Sequence, residues 1–256
     1  MTLVAVSRNK VYNNGLASCA MNSSMVALLG HIDSPIVRVL RERLLATSEA
    51  GKYFPLLDKL NRFHILLHDN NPVSLEEYDW RAMNLELCKI GSKIPAYGKY
   101  GSIGDVVELL FEAVFDTDLV VEGYRKNGVP HVPRERPATF MSKWSWTISS
   151  PTFTEESFDA KVPEYTCVAL ITGMGSHHFV VYIRAAPERW LRCDGLQHGT
   201  GSAYVNDKHI MSEINRPIAN DKICYKLLVR SDLIAGFMDV QPEIPAACEQ
   251  AALQVF

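Results

Sequence analysis

The chain has 256 residues, 47% hydrophobic and 21% charged, with 26 Lys and Arg against 29 Asp and Glu for a net charge of −3. That balance excludes an intrinsically disordered chain, a collagen-like or coiled-coil repeat, and the basic footprint of a nucleic-acid binder. The longest stretch without a Lys, Arg, Asp or Glu, 11–32, carries Asn13, Asn14, Ser18, Asn22, Ser23 and Ser24, too many polar groups for a helix in lipid.

In chain order, the first half reads as helices. Met21, Met25, Val26, Leu28 and Leu29 fall at helical spacing, and Ile36, Val37, Leu40, Leu44 and Leu45 repeat the pattern. Further helices are predicted over 54–67 and 75–88, separated by the turn-forming Asp69-Asn70-Asn71-Pro72, with Ser74 and Glu77 as a capping box for the second. Another is predicted over 103–115. From about 119 the texture changes to short strands and Gly/Pro turns. Segments 165–171 and 179–183 are apolar β-formers joined by a glycine-containing connection, and 190–193 and 224–229 read as further strands. Between them, 125–143 is locally basic and holds Pro130, Pro133 and Pro137, which suggests a solvated loop. Helices followed by strands predict an α+β fold in one packed unit, 1–231, helical over about 1–118 and β-rich over about 119–231. Residues 232–256 read as a C-terminal tail.

The six cysteines, Cys19, Cys88, Cys167, Cys193, Cys224 and Cys248, include no closely spaced pair, so neither a zinc site nor a disulfide framework is expected. No cofactor is expected either. Five of the six read as small buried hydrophobes. Cys19 differs because the turn-prone Asn14-Gly15-Leu16-Ala17-Ser18 delivers it to the start of an apolar-periodic helix. A thiol there feels the helix dipole, which favours the thiolate that attacks carbonyl carbon. A thiolate nucleophile needs a base, the base needs an orienting group, and the oxyanion needs donors. His178 opens a predicted strand after the glycine-containing connection, and Asp194 closes the next one, so adjacent antiparallel strands can set their ends side by side. Taken alone, His178 reads as a structural histidine, and Asp194 and Asn14 as turn residues; the combination is what points to chemistry.

The combination resembles a family. Asn14-x-x-x-x-Cys19-x-Met21-Asn22-Ser23 is similar to the cysteine box of the ubiquitin-specific proteases, and 165–182 resembles their histidine box, with Phe179 where tyrosine is usual. Trp190-Leu191-Arg192-Cys193-Asp194 resembles W-Y-x-F-D/N, and Cys224-Tyr225-Lys226-Leu227-Leu228-Val229-Arg230 resembles the closing strand. Gly104-Asp105-Val106-Val107-Glu108-Leu109-Leu110 resembles Q-D-A-x-E-F-L, with Gly104 replacing the glutamine. The boxes occur in the family's order. The resemblance implies a papain-like cysteine protease fold, with a helical thumb-like half and an antiparallel-sheet palm-like half. It implies Cys19 as nucleophile, His178 as base, Asp194 as orienter and Asn14 as an oxyanion-hole donor. His177 precedes the strand and fails the register of the box. Asp105, Glu108 and Tyr182 match substrate-contacting positions, and the partners implied are conjugates of ubiquitin or a ubiquitin-like protein. The paired zinc cysteines of the family's fingers are missing, so a compact member with reduced fingers is expected.

With no charged segment and apolar run of signal-peptide length at the start, the expected address is cytoplasmic or nuclear in a eukaryotic host cell. The activity expected is thiol-dependent hydrolysis after the modifier's terminal glycine. Two alternatives stay open: a catalytically silent ubiquitin-binding module on the same fold, and a papain-like protease with another peptide substrate.

Overall fold

The computed structural model describes residues 1–6, 19–69, 78–99, 102–116, 119–122, 132–146, 164–173, 178–194, 202–215 and 222–239. Five helices come first: α1 (Cys19–Leu29), α2 (Pro35–Ala46), α3 (Phe54–His68), α4 (Trp80–Ile90) and α5 (Ile103–Phe115). Their ends are written in the sequence. The Ser34 hydroxyl accepts from the Val37 N–H at the start of α2, with Pro35 in the first turn. Asp79 caps α4 by accepting from the Ala82 N–H at 2.8 Å. Ser102 caps α5, which ends where Asp116 turns left-handed at φ 58° and its N–H meets the Glu112 carbonyl. On α3 the buried set Leu56, Leu57, Leu60, Phe63, His64 and Leu67 forms one stripe at helical spacing.

The second half is a seven-stranded sheet in the order β2-β3-β8-β4-β5-β6-β7, with β2 (Val120–Glu122), β3 (Thr139–Trp146), β4 (Tyr165–Gly173), β5 (Phe179–Ala186), β6 (Arg189–Cys193), β7 (Ser202–Asn206) and β8 (Lys222–Arg230). Every pairing is antiparallel except β2 with β3. Helix α6 (Asp207–Asn215) lies between β7 and β8 in the chain. Strand β1 (Thr2–Ala5) pairs in parallel with β9 (Gly236–Asp239) as a separate ribbon, so both ends of the described chain meet.

Helix α1 is the centre of the molecule. Ala20 to Leu29 are all buried, and the helix packs on β4 and β5 from one side and on α2 and α5 from the other. A helix enclosed all round needs its polar groups satisfied internally; the Ser24 hydroxyl donates to the Ala20 carbonyl at 2.7 Å. Full burial of Met25, Val26 or Leu29 contributes about 1.5–3 kcal/mol each. Gly30 lets the helix end against the sheet, since a Cβ there would stand 2.8 Å from Ile183 Cδ1.

Two expectations need correction. The helix read over 75–88 starts only at Trp80: Tyr78 and Asp79 are not helical, and Asp79 rather than Ser74 is the cap, Ser74 and Glu77 lying outside the described residues. The basic loop read over 125–143 ends as strand, because Thr139–Trp146 pairs along its whole length with β8 and buries Phe140 and Met141. Neither β7 nor α6 was anticipated. Gly236–Asp239, read as part of the tail, is strand β9. No helix among the described residues is long and apolar enough to cross a membrane.

Candidate active site

Cys19 is the first residue of α1 and is partly exposed, whereas the ten residues after it are buried. One turn on, Ser23 shares its helix face, as i, i+4 residues do. The Ser23 hydroxyl donates to the Phe179 carbonyl at 3.2 Å. That bond ties α1 to the residue following His178, and so fixes how far the thiol stands from the imidazole. Ser23 was read only as part of a motif; its task here is to hold two elements in register.

Strands β5 and β6 bring His178 and Asp194 together. Their register pairs Val181 with Cys193. One step further sets Asp194 opposite Val180, two residues from His178 and on the same face, the diagonal distance across which side chains meet. The imidazole Nε2–H donates to Asp194 Oδ1 at 2.8 Å, with the two side chains only 18% and 8% exposed. The other ring nitrogen, Nδ1, is left for Cys19, the imidazole's second hydrogen-bond partner. Burial works against the imidazolium, but the bonds and charges of Asp194 and Cys19 outweigh it and raise the His178 pKa to about 9. A thiol, an imidazole that holds its proton at neutral pH, and a buried carboxylate can generate and protect a thiolate at that helix end.

A second layer of charge lies behind the carboxylate. Arg192 Nη2–H donates to Asp194 Oδ2 at 3.1 Å, and Arg192 Nε–H to Glu213 Oε2 at 3.2 Å. The Tyr182 hydroxyl donates to the same Glu213 oxygen. Burial would raise the Glu213 pKa, but the Tyr182 and Arg192 contacts hold it below the ordinary value. Tyr182 is therefore a correction: it is fully buried with its hydroxyl committed to Glu213, so it offers no surface to a substrate. Glu213 was missed in the sequence together with α6. The signal existed: Asn206 Oδ1 accepts from the His209 N–H as a cap, and Ile210 and Ile214 are buried at i, i+4.

Asn14 and His177 lie outside the described residues. Asp105 and Glu108 sit on the first turns of α5, Asp105 half-buried with its N–H on the Ser102 hydroxyl and Glu108 exposed. They are not in the cluster around His178. A small pocket is lined by Ala20 and Met21 of α1, Leu87 of α4, Tyr97 and Lys99, and Val106 of α5. Cys19 and Asp105 are each chain neighbours of a residue in that lining. Gly104, where the resembled motif has glutamine, faces Tyr225, whose hydroxyl would stand 2.8 Å from any Cβ there.

No protein-family model and no curated protein matches the chain. Solved structures do match. A chain in the SAGA Ubp8/Sgf11/Sus1/Sgf73 DUB module bound to ubiquitin aldehyde superposes with a TM-score of 0.52 at 9% identity, over 89% of this chain and 71% of that one. A chain in the SAGA Ubp8/Sgf11/Sus1/Sgf73 DUB module gives 0.42 at 11% identity, over 89% and 70%. The first likeness gives the fold: an α+β, papain-like architecture, with helices in one half and a mostly antiparallel sheet in the other.

Proposed function

We propose that this chain is a thiol-dependent deubiquitinase, a compact relative of the ubiquitin-specific proteases, cleaving after the terminal glycine of ubiquitin or a ubiquitin-like modifier. The observation that carries the reading is the His178–Asp194 bond at 2.8 Å, with the same imidazole hydrogen-bonded to Cys19 at the start of α1. The likeness in fold to a module captured with ubiquitin aldehyde supports the choice of substrate class.

In this reading the Cys19 thiolate attacks the glycine carbonyl carbon, and negative charge collects on the carbonyl oxygen, where the Asn14 amide donates. The His178 imidazolium gives its proton to the departing lysine amine as the C–N bond breaks, leaving a thioester on Cys19. Water then attacks the thioester while neutral His178 takes its proton, and the thiolate leaves the carboxylate product. Asp194 keeps the ring oriented in both halves. Asp105 and Glu108 flank the path of the modifier's tail, and the missing finger cysteines imply a reduced grip on its globular body.

The test is a ubiquitin carrying a C-terminal electrophile. Covalent labelling at Cys19, lost in Cys19→Ala, is the expected result. A stable complex without labelling would favour a silent binding module. Hydrolysis of unrelated peptides without labelling would favour a papain-like protease with another substrate.

A further inference from the structure

The carboxylate beside His178 is itself held by a charge pair that no motif predicted. Asp194 uses one oxygen for His178 and the other for Arg192 Nη2–H. An arginine fork ordinarily closes bidentately on a single carboxylate. Here it is divided, because the Nε–H goes to Glu213 Oε2 instead. Side chains of Arg192, Asp194 and Glu213 are 12%, 8% and 7% exposed, so little solvent screens them. Glu213 is fixed from two further directions. The Tyr182 hydroxyl donates to it, and the Trp190 indole N–H donates to Asp207 Oδ1 at 2.6 Å, which anchors the start of α6 to β6.

We infer that Arg192 and Glu213 are positioning residues: Glu213 holds the Arg192 fork so that it takes only one oxygen of Asp194 and leaves the other to His178. The inference rests on Cys19, His178 and Asp194 acting as one unit. Without Glu213, both Arg192 donors are free to close on Asp194 and draw it from the imidazole. Without Arg192, two carboxylates face each other with no cation between them. The groups facing this line from each packed element are Cys19 of α1, His178 and Tyr182 beside and on β5, and His209 of α6, whose Nε2 is 3.6 Å from Glu213 Oε1 and whose side chain is 46% exposed. A buried ion pair can serve stability alone or can position a third group. Charge variants separate the two cases, because they move the proton on His178 in opposite directions.

The experiment follows alkylation of Cys19 by iodoacetamide in the full chain as a function of pH, read by mass spectrometry on the Cys19 peptide, so no ubiquitin is involved. The upper step of that profile follows loss of the His178 imidazolium proton. Glu213→Gln removes a negative charge and should lower that step by on the order of half a pH unit; Arg192→Gln removes a positive charge and should raise it by a similar amount. The double variant is charge-neutral at this pair, keeps polar groups in place, and should return the step to near the wild-type value. Arg192→Lys, which keeps the charge but not the fork, should hold the step while lowering kcat on a ubiquitin C-terminal fluorogenic substrate about 10-fold with KM nearly unchanged. Shifts in the same direction, or none, in folded single variants would overturn the positioning role. Where Arg192→Gln fails to fold, Glu213→Gln and the double variant decide it alone. A wild-type profile with the single step of an ordinary thiol would instead remove the support for the proposed activity.

Discussion

Two groups of buried histidines in this molecule meet opposite fates. His178, at the end of the sheet, keeps its proton up to a pKa of about 9. His31 and His64, at the base of the helical half, are pushed down to about 4 each. Burial acts in the same direction at all three, against the charged form, and is the largest single cause at each. What differs is the company. His178 has the Asp194 carboxylate and the Cys19 thiol. His31 has the Arg184 carbonyl at 2.9 Å and feels the repulsion of His68, while the His64 ring sits tilted against that same ring at 4.6 Å. An anion nearby makes a buried imidazole a proton carrier; without one, it stays a neutral packing group.

The largest expected effect tests that division directly. Cys19→Ala and His178→Ala should each lower hydrolysis of a ubiquitin C-terminal substrate by at least ~10⁴-fold, and the two together hardly more, since members of one unit are not additive. His64→Leu should leave turnover within about threefold if its group is structural. A near-normal rate in His178→Ala would break the comparison.

Next in size is stability against pH. His31 and His64 favour the neutral form when folded, so their contribution is present above the ordinary histidine value of 6.5 and is lost as pH falls from there toward 4. The loss amounts to about 3 kcal/mol for each. His178 has the opposite sign: its contribution is present below 6.5 and fades as pH rises toward 9. Urea midpoints should therefore peak near neutrality and fall on both sides, more steeply in acid. A flat midpoint between pH 6.5 and 4.5 would mean that His31 and His64 are hydrated.

Much of this was legible in the sequence, for physical reasons that also explain the gaps. Helix α5 and strands β4, β5, β6 and β8 carry their own periodicity and caps, and the sequence placed each within a few residues. Cys19, His178 and Asp194 were grouped on local grounds, one at a helix start and two at strand ends, and they do lie together. Glu213 has no such local mark. It reaches Arg192 only because β7 pairs with β6 and leads into α6, a contact fixed by tertiary packing. Tyr182 was misjudged for the converse reason: a motif gives a residue's order in the chain, not the face on which its hydroxyl ends. Strands β1 and β9 are four residues each and pair from opposite ends of the chain, where no short-range pattern can announce them.

A smaller effect probes the anion itself. In Asp194→Asn the amide oxygen can still accept from His178, but the amide nitrogen turns a donor toward Arg192, which also donates. We expect about a 10²-fold loss in turnover. The upper limb of the pH profile should fall from near 9 toward the ordinary imidazole value, because the charge that held the proton is gone. A limb that stays in place would assign the raised pKa to Cys19 rather than to Asp194.

The smallest effect concerns a carboxylate that faces water rather than a histidine. Asp105 lies on the first turn of α5, where the helix dipole favours an acid whatever its use, and Glu108 stands one turn on. A surface role would make Asp105→Lys cost only the local helix preference, a few tenths of a kcal/mol up to about 1. A role toward the modifier is a different matter, since the tail of ubiquitin carries an arginine and a lysine at 105 would set like charge against it. Val106, next in the chain, lines the small pocket between α1, α4 and α5. We therefore expect kcat/KM on a ubiquitin C-terminal fluorogenic substrate to fall about 10-fold, which corresponds to ~1.4 kcal/mol of transition-state binding. The pH profile of Cys19 alkylation should be unchanged, because Asp105 is not part of the cluster around His178. Equal kcat/KM in the two proteins would leave Asp105 as a capping-turn acid. A changed alkylation profile would show instead that α5 and the histidine cluster are coupled, and the line drawn here between charges that serve the proton and charges that serve the partner would have to move.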